Sequence, residues 1–347
     1  MRLLVSYAAT LMAIMLSAQA ACAGSLFPKV VVTIAPLKPY VDEILKGHGE
    51  ATLLLRPGQN AHSFALTLPQ AQLLEEADIV VIPDSGMSPF LARTLAKKKK
   101  VTVVALSDLE GAYPLPYADS NPWLKAAEES ATKEKAKAKP ATSTTKPDET
   151  IDSTAKGVPA SPVAIDPHLW LDPERMASIA LPLARAIAIH APEAKTNLEA
   201  NAHRLAKHLR GEVIPELRVL LGKQARELSA VDRSIIPFIT YHGAYQYFLL
   251  RFRLTHYGEI VTRSEETQGS KALATALSAA QGQSIRCLIG EQKNRLMTTI
   301  AASSGARIIL LSPEQLPARK DVDALDWIES DYDRLLYVTA KAFGECL

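Results

Sequence analysis

This sequence has almost no net charge: 39 lysines and arginines nearly cancel 37 acidic residues, leaving +2. A field that weak argues against nucleic acid as the partner, and no nucleic-acid-binding motif accompanies it. Cysteine is scarcer still, with three in 347 residues. Neither a Cys-x-x-Cys pair nor a His-Glu-x-x-His run is present, so neighbouring residues supply no local zinc motif. The apolar run near the start, "LLVSYAATLMAIML", is short for a membrane span and lacks a stop-transfer flank.

What that run does have is Arg2 before it and the small residues "SAQAACAGS" after it. A basic start, a short apolar stretch and small cleavage-site residues read as a secretory signal over residues 1–23, cut after Ala20 or Ala23. A retained anchor is the alternative. Lipidation of Cys22 is another, although Gln19 stands where a lipoprotein signal carries an aliphatic residue. Losing Cys22 with the signal leaves Cys287 and Cys346 in an oxidising compartment. There they either pair, tying the last helix to a strand near residue 287, or remain two buried thiols.

The chain is long enough for two domains, with 48% apolar and 22% charged residues. Apolar β-branched runs alternate with helical patterns: "KVVVTI", then "LKPYVDEIL", "ATLLL", "LPQAQLLEEA", "DIVVIP" and "VTVVAL". Continuous apolar strands between amphipathic helices predict parallel sheet covered on both faces. Residues 122–162 break the rhythm with seven lysines among Ala, Thr, Ser, Glu and Pro. Too little apolar area is available there to offset ordering entropy, so the segment reads as a disordered surface loop.

Beyond it, Asp172, Pro173 and Glu174 make an N-cap, a first-turn proline and an acid at the positive helix end. Leu198, Leu205, Leu209, Val213, Leu217 and Leu220 keep helical spacing, predicting a long helix that bends near Gly211 and Pro215. A second strand-helix set runs through "SIIPFITYH", "GEIVT", "SIRCLIG" and "ARIILL". The expected fold class is therefore α/β: two lobes, each a mostly parallel sheet flanked by helices, joined by one long linking helix. The boundaries are an N-terminal lobe over 24–192, a linking helix over 193–228 and a C-terminal lobe over 229–347.

In open parallel sheets, ligands bind beyond the carboxyl ends of strands. His62 follows "ATLLL", His242 ends "IIPFITYH", Glu291 follows "RCLIG" and Ser312 follows "ARIILL". His168 lies in "IDPHLWLDPERM", just ahead of a helix. A site shared by these residues would lie in the cleft between the lobes. His190, His203 and His208 fall on helices and read as surface side chains, and His48 and His256 read as ordinary ones.

Several of these stretches, "LLRPGQNAHSFALTLPQAQLLEEADIVV", "DPHLWLDPERM", "YHGAYQYFLLRFRL" and "CLIGEQ" among them, resemble the periplasmic zinc-binding proteins of bacterial ABC importers, within the wider zinc and manganese solute-binding family. The resemblance covers nearly the whole mature chain, and "DPHLWLDP" is its most specific part. It implies that His62, His168 and His242 ligate the metal, and that Cys287 and Cys346 form a disulfide. Manganese-type members resemble this chain but carry a carboxylate at the position of His242, and imidazole suits zinc better than manganese. Asp166 or a nearby carbonyl would orient the His168 ring.

Three departures stand out. Ser312 occupies the place of a common family aspartate, Ala61 that of an acid found in some members, and the lysine-rich loop contains no histidine. The fourth position then falls to water, Glu291 or Glu314. Gly243, where many zinc members have aspartate, removes a further partner of the third histidine.

The expected function is capture of Zn²⁺ in the cleft by an exported, monomeric receptor that delivers it to a membrane permease. The competing readings are a manganese-binding member, a surface lipoprotein, and an exported zinc hydrolase. The hydrolase would need a general base, for which Glu291 is the candidate and no substrate-shaping motif gives support.

Overall fold

A computed structural model describes residues 27–56, 58–62, 64–87, 89–98, 100–117, 165–227, 236–254, 256–261, 285–318 and 325–347. The expected signal segment (1–23) and lysine-rich loop (122–162) lie outside the described residues.

The first sheet has the order β2-β1-β3-β4, with β1 at Val30–Val32, β2 at Thr52–Leu53, β3 at Ile79–Ile82 and β4 at Thr102–Ala105. Every pairing in it is parallel. All residues of β1 and β3 are buried, as continuous apolar runs require when helices cover both faces. Helix α1 (Leu37–Leu45) turns Leu37, Tyr40, Val41, Ile44 and Leu45 inward at helical spacing. Helix α2 (Leu68–Glu76) follows, and α3 (Pro89–Ala96) precedes β4.

Helix α4 (Pro173–Ala188) begins as its residues foretell: Asp172 Oδ1 accepts from the Glu174 and Arg175 N–H groups at 3.0 and 3.4 Å. Helix α5 (Lys195–His208), a π segment at Leu209–Val213 and helix α6 (Ile214–Glu227) follow as one helical run. The anticipated irregularity near Gly211 and Pro215 is thus a π segment. Pro215 lacks an N–H and crowds the carbonyl four residues back, at Gly211, and the wider turn accommodates both.

The second sheet repeats the first in the order β6-β5-β7-β8: β5 Ile236–His242, β6 His256–Val261, β7 Cys287–Gly290 and β8 Arg307–Leu310, again all parallel. Among the described residues its helices are α7 (Gln246–Phe252), α8 (Arg295–Ser304) and the last, α9 (Asp331–Gly344). Cys287 at the start of β7 and Cys346 after α9 form a disulfide with a Cα separation of 5.6 Å.

One continuous core unites the two sheets, running from Val32 and Ile79 through Leu198, Leu205, Leu209 and Leu217 to Phe238, Ile289 and Phe343. Buried polar groups cross the same boundary. Trp170 Nε1 donates to the Pro313 carbonyl at 2.9 Å, and Tyr332 Oη to the Trp170 carbonyl at 2.7 Å. Tyr247 Oη donates to the Asp166 carbonyl at 2.8 Å. These bonds hold the loop around His168 against the strand ends of the second sheet.

Candidate metal centre

Each histidine of the cleft is delivered by a different local device. The loop ahead of His62 is braced from α2: Gln70 accepts from the Thr67 N–H at 3.0 Å and donates to the Leu54 carbonyl and the Gln59 side chain at 2.8 and 2.7 Å. Asn60 Oδ1 then accepts the His62 N–H at 2.7 Å, an Asx turn that sets the direction of the ring. His168 precedes a 3₁₀ turn, Leu169–Leu171, whose three side chains are fully buried, so the ring has no freedom to leave. His242 is the last residue of β5, where the strand order reverses between β5 and β7. At the adjoining end of β7, Gly290 leaves no room for a side chain. A Cβ there would stand 2.9 Å from the Tyr241 Cβ and 2.8 Å from the Met297 Sδ.

The three rings converge. Their centroids lie 4.9 Å (His168 and His242), 5.4 Å (His62 and His168) and 5.6 Å (His62 and His242) apart. One ring nitrogen from each falls within 4.8 Å of the other two. His168 is wholly inaccessible, His242 is 3% exposed, and the His62 side chain is 9% exposed.

Their two nitrogens have different surroundings. His168 Nδ1 meets Asp166 Oδ1 at 2.7 Å, and the same oxygen accepts the His168 backbone N–H at 3.0 Å. His242 Nδ1 meets Glu291 Oε1 at 2.8 Å. The Nε2 atoms of all three histidines are buried, and none has a hydrogen-bond partner among the described residues. Glu314 Oε1 approaches His62 Nε2 to 3.3 Å without hydrogen-bond geometry, while its Oε2 accepts the Ala61 N–H at 3.3 Å.

At His168 and His242, the carboxyl groups on Nδ1 favour the tautomer that leaves Nε2 with its lone pair free, as ligating histidines require. Burial, with the nearby His242 and His62 rings, pushes the His168 pKa well below the usual 6.5 and keeps that ring neutral. Burial also lifts the Asp166 carboxyl to about 8, against the pull of the His168 N–H. For Glu314, burial pushes upward, but the His62 ring prevails and holds the carboxyl below its ordinary value.

Sequence comparison gives this arrangement a family. The family described as "ZnuA: Zinc-uptake complex component A periplasmic" matches residues 30–337. The chain belongs to it.

Among the relatives, the high-affinity zinc uptake system protein ZnuA of Brucella abortus is 25% identical over 334 residues, covering 92% of this chain and 91% of that protein. The zinc-binding protein AdcA of Streptococcus pyogenes is 22% identical over 85% of this chain, which spans about half (52%) of AdcA's length. A crystal structure of ZnuA shares the fold at a TM-score of 0.66 and 19% identity, over 92% of this chain and 99% of that one. The ZnuA family is a transport family, periplasmic by its description. No helix among the described residues is long and apolar enough to cross a membrane.

Within this ZnuA-family fold, the residues expected from sequence part into two groups. His62, His168 and His242 share a centre, with Asp166 and Glu291 behind two of the rings and Glu314 at the free nitrogen of the third. Ser312 forms no side-chain hydrogen bond to the cluster among the described residues, while the next residue, Pro313, lends its carbonyl to Trp170.

One histidine reads wrongly from sequence. His208 is not on a solvated face: it is 8% exposed and its Nε2 meets Asp333 Oδ2 at 3.0 Å. Helical spacing did put a buried stripe along α5, with Leu198, Asn201, Ala202 and Leu205 on it. His208 continues that stripe three residues after Leu205, the only sign of its burial available in the sequence.

Proposed function

We propose that this chain binds Zn²⁺ as cargo through Nε2 of His62, His168 and His242, and delivers it as a monomer to the membrane permease of an ABC importer. One observation carries the reading: His62, His168 and His242 each bring a ring nitrogen within 4.8 Å of the other two, and the Nε2 of each ring is buried and unpartnered among the described residues. Zinc bound by imidazoles at about 2.0–2.1 Å holds its ligands some 3.3–3.5 Å apart, so small ring movements close the site. Glu314 supplies the fourth ligand, because it stands at the Nε2 side of His62 whereas Asp166 and Glu291 stand behind the rings. Its carboxylate also offsets part of the charge that three neutral imidazoles leave uncompensated.

The chain carries the metal and does not catalyse with it. Glu291, the candidate base, is turned toward His242 Nδ1, away from the free nitrogens. Cleavage of the signal over 1–23 would leave the mature receptor in the periplasm, with lobes 24–192 and 229–347 joined by the 193–228 helix.

Titration of Zn²⁺ into the wild type and His168→Ala is the direct test. The substitution should weaken binding by more than about 100-fold, beyond the loss usual for a residue behind the ligands. Equal affinity would overturn the assignment. Competition with Mn²⁺ should leave zinc bound, since imidazole-rich sites favour zinc.

A further inference from the structure

A second group of metal-binding side chains lies away from the cleft, where the linking helix meets the start of α9. His208 is the last residue of α5, Glu212 stands one turn later in the π segment, and Glu329 immediately precedes Ser330, the N-cap of α9. One donor atom from each lies within 4.8 Å of the other two.

The His208 ring is oriented from behind. Asp333, wholly buried in the first turn of α9, uses Oδ2 to accept the backbone N–H groups of Glu329 and Ser330, each at 3.0 Å. The same oxygen meets His208 Nε2 at 3.0 Å. An oxygen so placed is an acceptor, so Nε2 carries the proton and the second nitrogen is left as the free one. Nδ1 is buried and has no hydrogen-bond partner among the described residues, although Glu212 Oε2 lies 3.4 Å away and Glu329 Oε1 3.9 Å away. A lone pair facing two carboxylates is repulsive unless something positive sits between them. That something is either a proton on the ring or a cation.

We propose that His208, Glu212 and Glu329 form a second divalent-cation site, distinct from the three-histidine centre and suited to zinc or a similar borderline ion. The carboxylate–imidazole–metal relay is complete up to the ion: Asp333 fixes the ring, and His208 Nδ1 points at the site. The 3.4 Å separation of Nδ1 and Glu212 already matches the spacing of two ligands on one zinc, about 3.3–3.5 Å. Glu329 must move by roughly half an ångström to match that spacing, and its side chain is 60% exposed and free to do so. Two carboxylates neutralise the dication, unlike the imidazole-rich cleft. One nitrogen and two oxygens make a harder, more open site, so its affinity should be lower than that of the cleft. An ion here would join the π segment of the linking helix to the first turn of α9.

The test uses the full chain stripped of metal and titrated with ZnCl₂ at about pH 8, where competing protons are few. Wild type should bind two equivalents, the weaker with the long-range proton–nitrogen NMR signature of a metal on His208 Nδ1. Glu212→Gln with Glu329→Gln alters only exposed side chains, so the fold should survive. That pair should weaken the second equivalent by more than about 100-fold and leave the first untouched. His168→Ala with His242→Ala should do the reverse, which separates this proposal from the cargo site. A single equivalent in wild type would overturn the proposal. So would a second equivalent that persists in the glutamine pair, or a His208 ring that stays doubly protonated in the presence of zinc.

Discussion

Asp166 receives two hydrogen bonds from one residue, the backbone N–H and the ring Nδ1 of His168, on a single oxygen, while its Oδ2 is buried without a partner among the described residues. A carboxylate in that position costs desolvation, which is why its pKa rises to about 8. A dication on His168 Nε2 would offset that cost and draw the carboxyl into its ionised form. Asp166→Asn keeps the acceptor but not the charge. It should therefore lower zinc affinity by about 10- to 100-fold with His168 still ligating, read by competition with a zinc chelator. An unchanged affinity would reduce Asp166 to a packing role. The histidine type was visible at 62, 168 and 242 in the sequence, but not which nitrogen faces which neighbour, since that depends on side chains far along the chain, 49 residues away for His242 and Glu291.

At the scale of elements, α9 is fastened twice. Its C-terminal end is tied to β7 by the Cys287–Cys346 disulfide across a separation of 59 residues. Closing a loop of that length restricts the unfolded chain by about 4 kcal/mol in the entropic account. Cys287→Ser with Cys346→Ser should accordingly lower stability by roughly 2–4 kcal/mol in denaturant melts, and a loss near zero would count against the bridge.

The other end of α9 is held by His208 and Asp333. The Asp333 hydrogen bond raises the His208 pKa above 6.5, against burial, with Glu329 and Glu212 adding to the rise. A raised folded value means that the folded chain holds the proton more tightly than the unfolded one. The stabilisation is thus complete below about pH 6.5 and fades as pH rises through the folded value. In EDTA, the difference in melting temperature between wild type and His208→Gln should shrink from about pH 6 to about pH 8. A difference that stays constant would contradict the ion pair.

Across the whole molecule, the two sheets share one core through α5, the π segment and α6, and Trp170 and Tyr332 bond across the same boundary. A connector packed on both sides resists hinge closure, so zinc capture should proceed with little lobe motion. Small-angle scattering should give radii of gyration within about 1 Å for the metal-free and zinc-loaded chains, and a larger contraction would show a hinge.

The amino-acid sequence alone sets the strand-helix order, because continuous runs such as "DIVVIP" are buried when helices cover a parallel sheet on both faces. It also determined the start of α4, because Asp172 and Pro173 act on their own backbone neighbours. The tertiary structure was needed to limit the strand within "ATLLL" to Thr52–Leu53 and to put Glu314 rather than Ser312 beside His62. It alone decided that His208 lies beneath α9 and not in water. Periodicity reports which face of an element is apolar, whereas ring direction and partnership arise where separate elements pack, and no local pattern of residues encodes that meeting.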